Sequence, residues 1–271
     1  MTARLFTLRN RLRPMFCTAA AVAALLAGAA LLIAPAASTA VGGGAWPPLH
    51  ARCVGAMLVS LAAALASARR ALDPAALRMP LIGLAVWSLS SAALAGASGT
   101  AWWMGGLAAI GSAALLFARI DSDPPAPAQH ADKAWRAFAL LAALVAALLF
   151  ASPHNVAAYW PWRLAASFVT QYAALFLAWG PAAWLVSRER RRYVRVPVLW
   201  GLLTWAVGVL GVSLWHIAVF RWTQPQAWVW IAAFAAVGLL AAHRLWPAWP
   251  KRCRRALGPR PHDNGTDLPR Q

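Results

Sequence analysis

The sequence predicts an all-α fold, a polytopic membrane helix bundle of about eight transmembrane helices arranged as two parallel four-helix repeats. Three observations predict it. Of 271 residues, 61% are hydrophobic and only 12% are charged, against about 25% charged in an ordinary soluble domain. The apolar residues form runs of roughly 18 to 25, the length a helix needs to cross about 30 Å of hydrocarbon. The Lys and Arg residues gather in every second connection between those runs, as the positive-inside rule asks of a multi-pass protein.

The elements follow in order. The first span, Phe16–Ala36, follows Arg4, Arg9, Arg11 and Arg13. Ser38-Thr39-Ala40 after it resembles a signal-peptide cleavage site, but the apolar run to Ala37 exceeds the usual core of about 7–15 residues, so it reads as a retained span. Leu49–Ala68 comes next and ends on Arg69 and Arg70; Met79–Ser98 follows Arg78, and Ala101–Ala118 precedes Arg119. Ala134–Ser152 is the fifth span, Leu164–Ser187 the sixth, Val196–Phe220 the seventh and Gln226–Trp246 the eighth. Backbone groups in lipid must be satisfied within their own segment, which makes these runs helices; barrel strands would be shorter and alternate in polarity.

On this reading 22 of the 25 basic residues lie on one side, and Arg52, Arg163 and Arg221 on the other. The basic side is cytoplasmic and holds both termini of a multi-pass protein of the cell membrane. The abundance of Ala and Arg points to a bacterial inner membrane. The net charge of +18 is explained by topology and lipid headgroups, with no basic groove interleaved with aromatics for nucleic acid.

Trp46-Pro47 recurs as Trp160-Pro161, 114 positions on, and GLAVW from Gly83 recurs as GLLTW from Gly201, 118 positions on. Pro80 and Pro197 precede the latter pair, and Pro35 and Pro153 lie near the ends of the spans before the former. Recurrence in order, with the charges in phase, indicates duplication of four spans. Four is even, so the halves are parallel, related by an axis along the membrane normal. They are residues 1–119 and 134–246. A cytoplasmic linker rich in Pro and Asp, 120–133, joins them, and a basic tail expected to be disordered, 247–271, follows. Both Trp-Pro pairs read as helix starts anchored at the outer headgroup level.

The stretches WPPLHAR, with Arg52, and WPWRLAA, with Arg163, resemble a repeated WPWxLxxxxAR-like element of a class of bacterial multi-pass membrane proteins. The resemblance implies the four-plus-four arrangement and carries no activity with it.

The residue inventory excludes much chemistry. The acids Asp73, Asp121, Asp123, Asp132, Glu189, Asp263 and Asp267 all fall outside the spans, which removes a paired-carboxylate or acidic metal site within the membrane. GxxxxGK[ST], HExxH and GxSxG are absent. Cys17, Cys53 and Cys253 are odd in number and contain no CxxC, so neither a disulfide framework nor a zinc site is indicated. No catalytic residue and no cofactor is assigned.

Several candidate groups remain. His50, His154 and His216 are placed toward the outer face, where imidazoles at matched depth can ligate haem or a metal; the plainer expectation is hydrogen bonding at the interface, as for His243. Ser167, Thr170, Gln171 and Tyr172 cluster in the sixth span, with Ser88, Ser90 and Ser91 in the third. They either join helices or line a substrate cavity. Arg52 and Arg163 can draw in an anionic headgroup or substrate, or snorkel to the interface. Lys251, Arg252, Arg254 and Arg255 suit anionic headgroups.

Three functions fit these residues. The first is a non-catalytic membrane component that interacts with lipid or with a membrane-protein partner. The second is a permease for a neutral or weakly polar small molecule, by analogy with the repeat layout of transporters. The third is a membrane redox or lipid enzyme using the outer-face histidines.

Overall fold

The computed structural model describes residues 2–42, 45–70, 75–95 and 132–246. Among the described residues the regular structure is helical, with no strand. The long helices are α1 (Thr2–Ile33), α2 (Pro48–Arg70), α3 (Ala75–Ala95), α4 (Lys133–Ala151), α5 (Ala166–Arg188), α6 (Arg192–Trp215) and α7 (Pro225–Leu245). Six of these are long and apolar enough to cross a membrane; α3 contributes a shorter apolar stretch, Ala76–Ser90. The expected span Ala101–Ala118, most of the linker and the basic tail lie outside the described residues. Six such helices suit an integral, multi-pass membrane protein.

Local sequence sets the helix ends. Pro48 and Pro225 occupy first turns, where the missing N–H has no intrahelical partner to lose. The structure shortens the seventh expected span. Instead of running Val196–Phe220, α6 stops at Trp215, His216 leaves helical geometry, and a 3₁₀ turn follows at Ile217–Val219. The tighter turn redirects the chain, so that the Arg221 N–H donates to Pro161 O at 2.9 Å and Phe220 packs against Trp162, ring centres 5.1 Å apart. His216 therefore caps a helix and does not lie inside a span.

Hydrogen bonds fix the helix directions. Arg52 near the start of α2 meets Leu32 at the end of α1 and His216 at the end of α6. At the opposite end, the Asp132 N–H before α4 donates to Ser187 O near the end of α5 at 2.8 Å, and its carboxylate binds Arg195 of α6 and Arg244 of α7. In α3, Gly83 lies near Leu61 of α2 and Trp87 packs nearer the start of α2, so these two run antiparallel. Thus α1, α3, α4 and α6 run one way and α2, α5 and α7 the other.

Packing separates central helices from peripheral ones. The apolar stretch of α2 is 72% buried, whereas those of α1 and α7 are 17% and 22% buried. The outer helices turn large apolar side chains outward: Leu25 and Leu26 on α1, Leu140, Leu141 and Leu144 on α4, Val229 and Leu239 on α7. Continuous apolar surface of this kind is unfavourable in water and is satisfied by hydrocarbon. Inside, Met57, Leu61 and Leu65 of α2 meet Trp179 of α5 and Trp205 of α6, all fully or almost fully buried.

Small residues let backbones touch, the usual basis of helix association in lipid. A Cβ on Gly28 of α1 would sit 2.8 Å from Gly55 O of α2, and one on Gly55 would sit 2.8 Å from Gly28 O. Two further close approaches join α3 to α5 and α6 to α2. A Cβ on Gly83 would lie 3.0 Å from Ala178 O, and one on Gly201 would lie 3.0 Å from the Ala64 Cβ and collide with the Trp179 ring.

Candidate functional site at the tryptophan-rich end

The starts of α2 and α5 bring polar side chains together beneath a layer of tryptophans. His50 stands in the first turn of α2 and is fully buried. Its Nε2 meets Gln171 Oε1 of α5 at 2.6 Å. The amide oxygen accepts, so Nε2 carries the proton and the neutral ring offers a lone pair at Nδ1. That Nδ1 is buried without a hydrogen-bond partner, as is the Trp160 indole N–H, while the buried Tyr172 hydroxyl lies against the Cys53 thiol. The three groups belong to touching rings: Tyr172 has its ring centre 5.0 Å from those of both His50 and Trp160. Phe168, Trp46, Trp162 and Trp230 complete the enclosure.

The candidates are regrouped by this geometry. Gln171 and Tyr172 face inward with His50, which joins a proposed substrate residue to a proposed ligand residue. Ser167 is exposed, and the Thr170 hydroxyl donates back to Ser167 O at 3.2 Å, so neither shares that enclosure. Arg163 and His154 are exposed, His154 on the short helix Pro153–Ala158. Ser88 is buried without a partner and Ser90 is partly buried; the expectation for the Ser91 side chain lies outside what the structure describes. Among the described residues no three His, Cys, Asp or Glu side chains converge as a metal site. His50 and His216 each already engage Nε2, through Gln171 and Arg52.

Arg52 forms a second polar group at this end. Its Nε donates to Leu32 O at 2.9 Å, its Nη1 donates to His216 Nε2 at 2.6 Å, and its guanidinium lies 4.9 Å from the Trp215 ring centre. The Leu32 carbonyl belongs to the last turn of α1, whose unpaired carbonyls favour a cation. Sequence spacing could not reveal the pairing of Arg52 with His216, 164 residues away.

The opposite end carries a charged cleft of about 550 Å³, lined by Asp132, Lys133, Glu189, Arg190, Arg195 and Arg244 among others. Glu189 caps α5 and accepts hydrogen bonds from the Arg191 backbone N–H, Nε and Nη2 at 2.9, 3.0 and 3.0 Å. Burial opposes its ionisation, but the hydrogen bonds and charge of Arg191 outweigh burial and hold its pKa below the usual value. Arg136 and Arg188 stack on Trp184, at 5.2 and 5.0 Å. The sequence marked these residues only as a topology signal.

No protein-family model, curated protein or solved structure matches the chain.

Proposed function

We propose that the chain is a non-catalytic, lipid-interacting component of the cell membrane, built from two parallel four-helix halves with both termini in the cytoplasm. The observation that carries the functional part is the filled interior. Between α2 and α5 the space is occupied by Met57 and Trp179, whose indole N–H donates to the Met57 sulfur at 2.9 Å. Trp205, Leu61 and Leu65 close around them. Both described carboxylates, Asp132 and Glu189, lie at the end opposite the tryptophan layer and are engaged by arginine. A packed centre without acids suits structural support of lipid contacts better than passage of a solute.

The halves are supported by paired contacts. An offset of 118 carries Gly83 to Gly201, and the Trp-Pro offset of 114 carries Ala64 to Ala178. Gly83 packs on Ala178 and Gly201 on Ala64, so exchanging the halves exchanges the two contacts. Extensive packing of α1 on α2 has its counterpart in α4 on α5, and that of α2 on α6 in α3 on α5. The count of eight spans draws support from direction. α3 and α4 run the same way, so the end of α3 and the start of α4 lie at opposite ends of the bundle, which favours the expected span Ala101–Ala118.

The permease is the second reading. It is favoured by the unpartnered His50 Nδ1 and Trp160 N–H, which offer an acceptor and a donor to a small neutral molecule. The test is reconstitution in liposomes beside analysis of retained lipid. The proposal expects a reproducibly retained lipid and uptake of small neutral solutes no faster than in empty vesicles. Uptake above that background, abolished by Gln171→Leu, would replace it with the permease.

A further inference from the structure

We infer that Arg52, held by Leu32, His216 and Trp215, is a binding site for one anionic phosphate group, supplied by a phospholipid headgroup. The inference deepens the lipid-interacting reading and rests on it. Arg52 is half buried, and among the described residues its partners are neutral: a backbone carbonyl, an imidazole accepting through Nε2, and an indole face. The described carboxylates, Asp132 and Glu189, are engaged at the other end of the bundle. A partly desolvated cation without a counter-charge attracts an anion strongly, because the surrounding hydrocarbon screens little.

The geometry also prepares the site. Leu32 O takes Nε and His216 takes Nη1, so two of the three guanidinium nitrogens are fixed in direction and the side chain loses little further freedom on binding. Guanidinium matches phosphate oxygens in shape and charge. A lipid is the favoured source over a soluble ion because the neighbours are apolar and exposed. Ile33 is 80% exposed, Leu214 63% and Trp215 75%. An acyl chain descending from a phosphate at Arg52 would cover these residues, while an indole at headgroup level is already suited to the boundary.

The experiment is native mass spectrometry of the full chain, titrated with phosphatidylglycerol or phosphatidylcholine in mild detergent, or with inorganic phosphate alone. Wild type is expected to retain one phosphatidylglycerol in preference to phosphatidylcholine. Arg52→Gln should weaken this by about tenfold or more. Arg192→Gln, an equal loss of charge at the opposite end, should leave it unchanged. His216→Ala and Trp215→Leu keep the charge but release the guanidinium, and should weaken retention by a smaller factor; they carry the test if Arg52→Gln does not fold. Tight binding of inorganic phosphate without lipid preference would keep the anion site and make a soluble anion its occupant. Equal lipid retention in wild type and Arg52→Gln would overturn the site and leave the lipid-interacting reading standing. Retention of no lipid by any form would overturn both.

Discussion

The His50 imidazole and the Gln171 carboxamide meet at 2.6 Å between two helix starts that are 121 residues apart in sequence. His50 lies among aromatic rings, so the half-buried Gln171 satisfies a polar group that would otherwise stay buried and unpaired. The pair holds the two helices in one register, since a shift of a single residue would turn either partner away.

This coupling is measurable. Gln171→Leu leaves the His50 Nε2–H unpaired and should cost about 1–3 kcal/mol. His50→Leu should cost a similar amount, and the double variant should cost clearly less than the two together. Thermal unfolding in one detergent measures all four forms. Strict additivity would contradict the pairing.

Gly55 and Gly211 should respond to alanine with opposite signs. A Cβ at Gly55 would sit 2.8 Å from a backbone oxygen of α1, whereas one at Gly211 meets nothing within 4 Å. Gly55→Ala must force α1 from α2 and should cost about 1–3 kcal/mol. Gly211→Ala gains helix propensity and should stabilise by about 0.5–1 kcal/mol. Melting temperatures of the two variants beside wild type check the sign.

The pH dependence at the charged end follows from Glu189. Its folded pKa lies below the unfolded value of about 4.3. The stabilisation is therefore fully present above about pH 5 and is lost as pH falls through the depressed folded pKa. Glu189→Gln should lower the melting temperature at pH 7, and the gap to wild type should close on acidification. A gap that persists unchanged to pH 3 would show that the carboxylate charge is not responsible.

Helix type and order were legible because lipid leaves a chain few options. A run of about 20 apolar residues has to be a helix, and the expected starts of α2, α4, α5 and α7 fall within two residues of those observed. The end of α6 was not legible. Ile217, Ala218 and Val219 continue the apolar run, and only the tertiary contacts of Phe220 and Arg221 show why the helix stops at Trp215. For the same reason the sequence named Gln171, His50, Arg52 and His216 without showing that His50 meets Gln171 and Arg52 meets His216: composition and spacing identify polar residues in an apolar chain, while their partners depend on helices far apart in sequence. Asp132 and Glu189 were visible only as loop acids. Their pairing with Arg195, Arg244 and Arg191 needed the ends of four helices to converge.

The most direct test of the two-half, eight-span account is single-cysteine labelling in intact cells, with the native Cys17, Cys53 and Cys253 replaced. Tyr159→Cys, at an exposed position of the tryptophan-rich end, should react with a membrane-impermeant maleimide from outside. Arg190→Cys and Asp121→Cys should react only after permeabilisation. Labelling of Asp121→Cys from outside intact cells, with Arg190→Cys protected, would contradict the fourth crossing and with it the parallel halves.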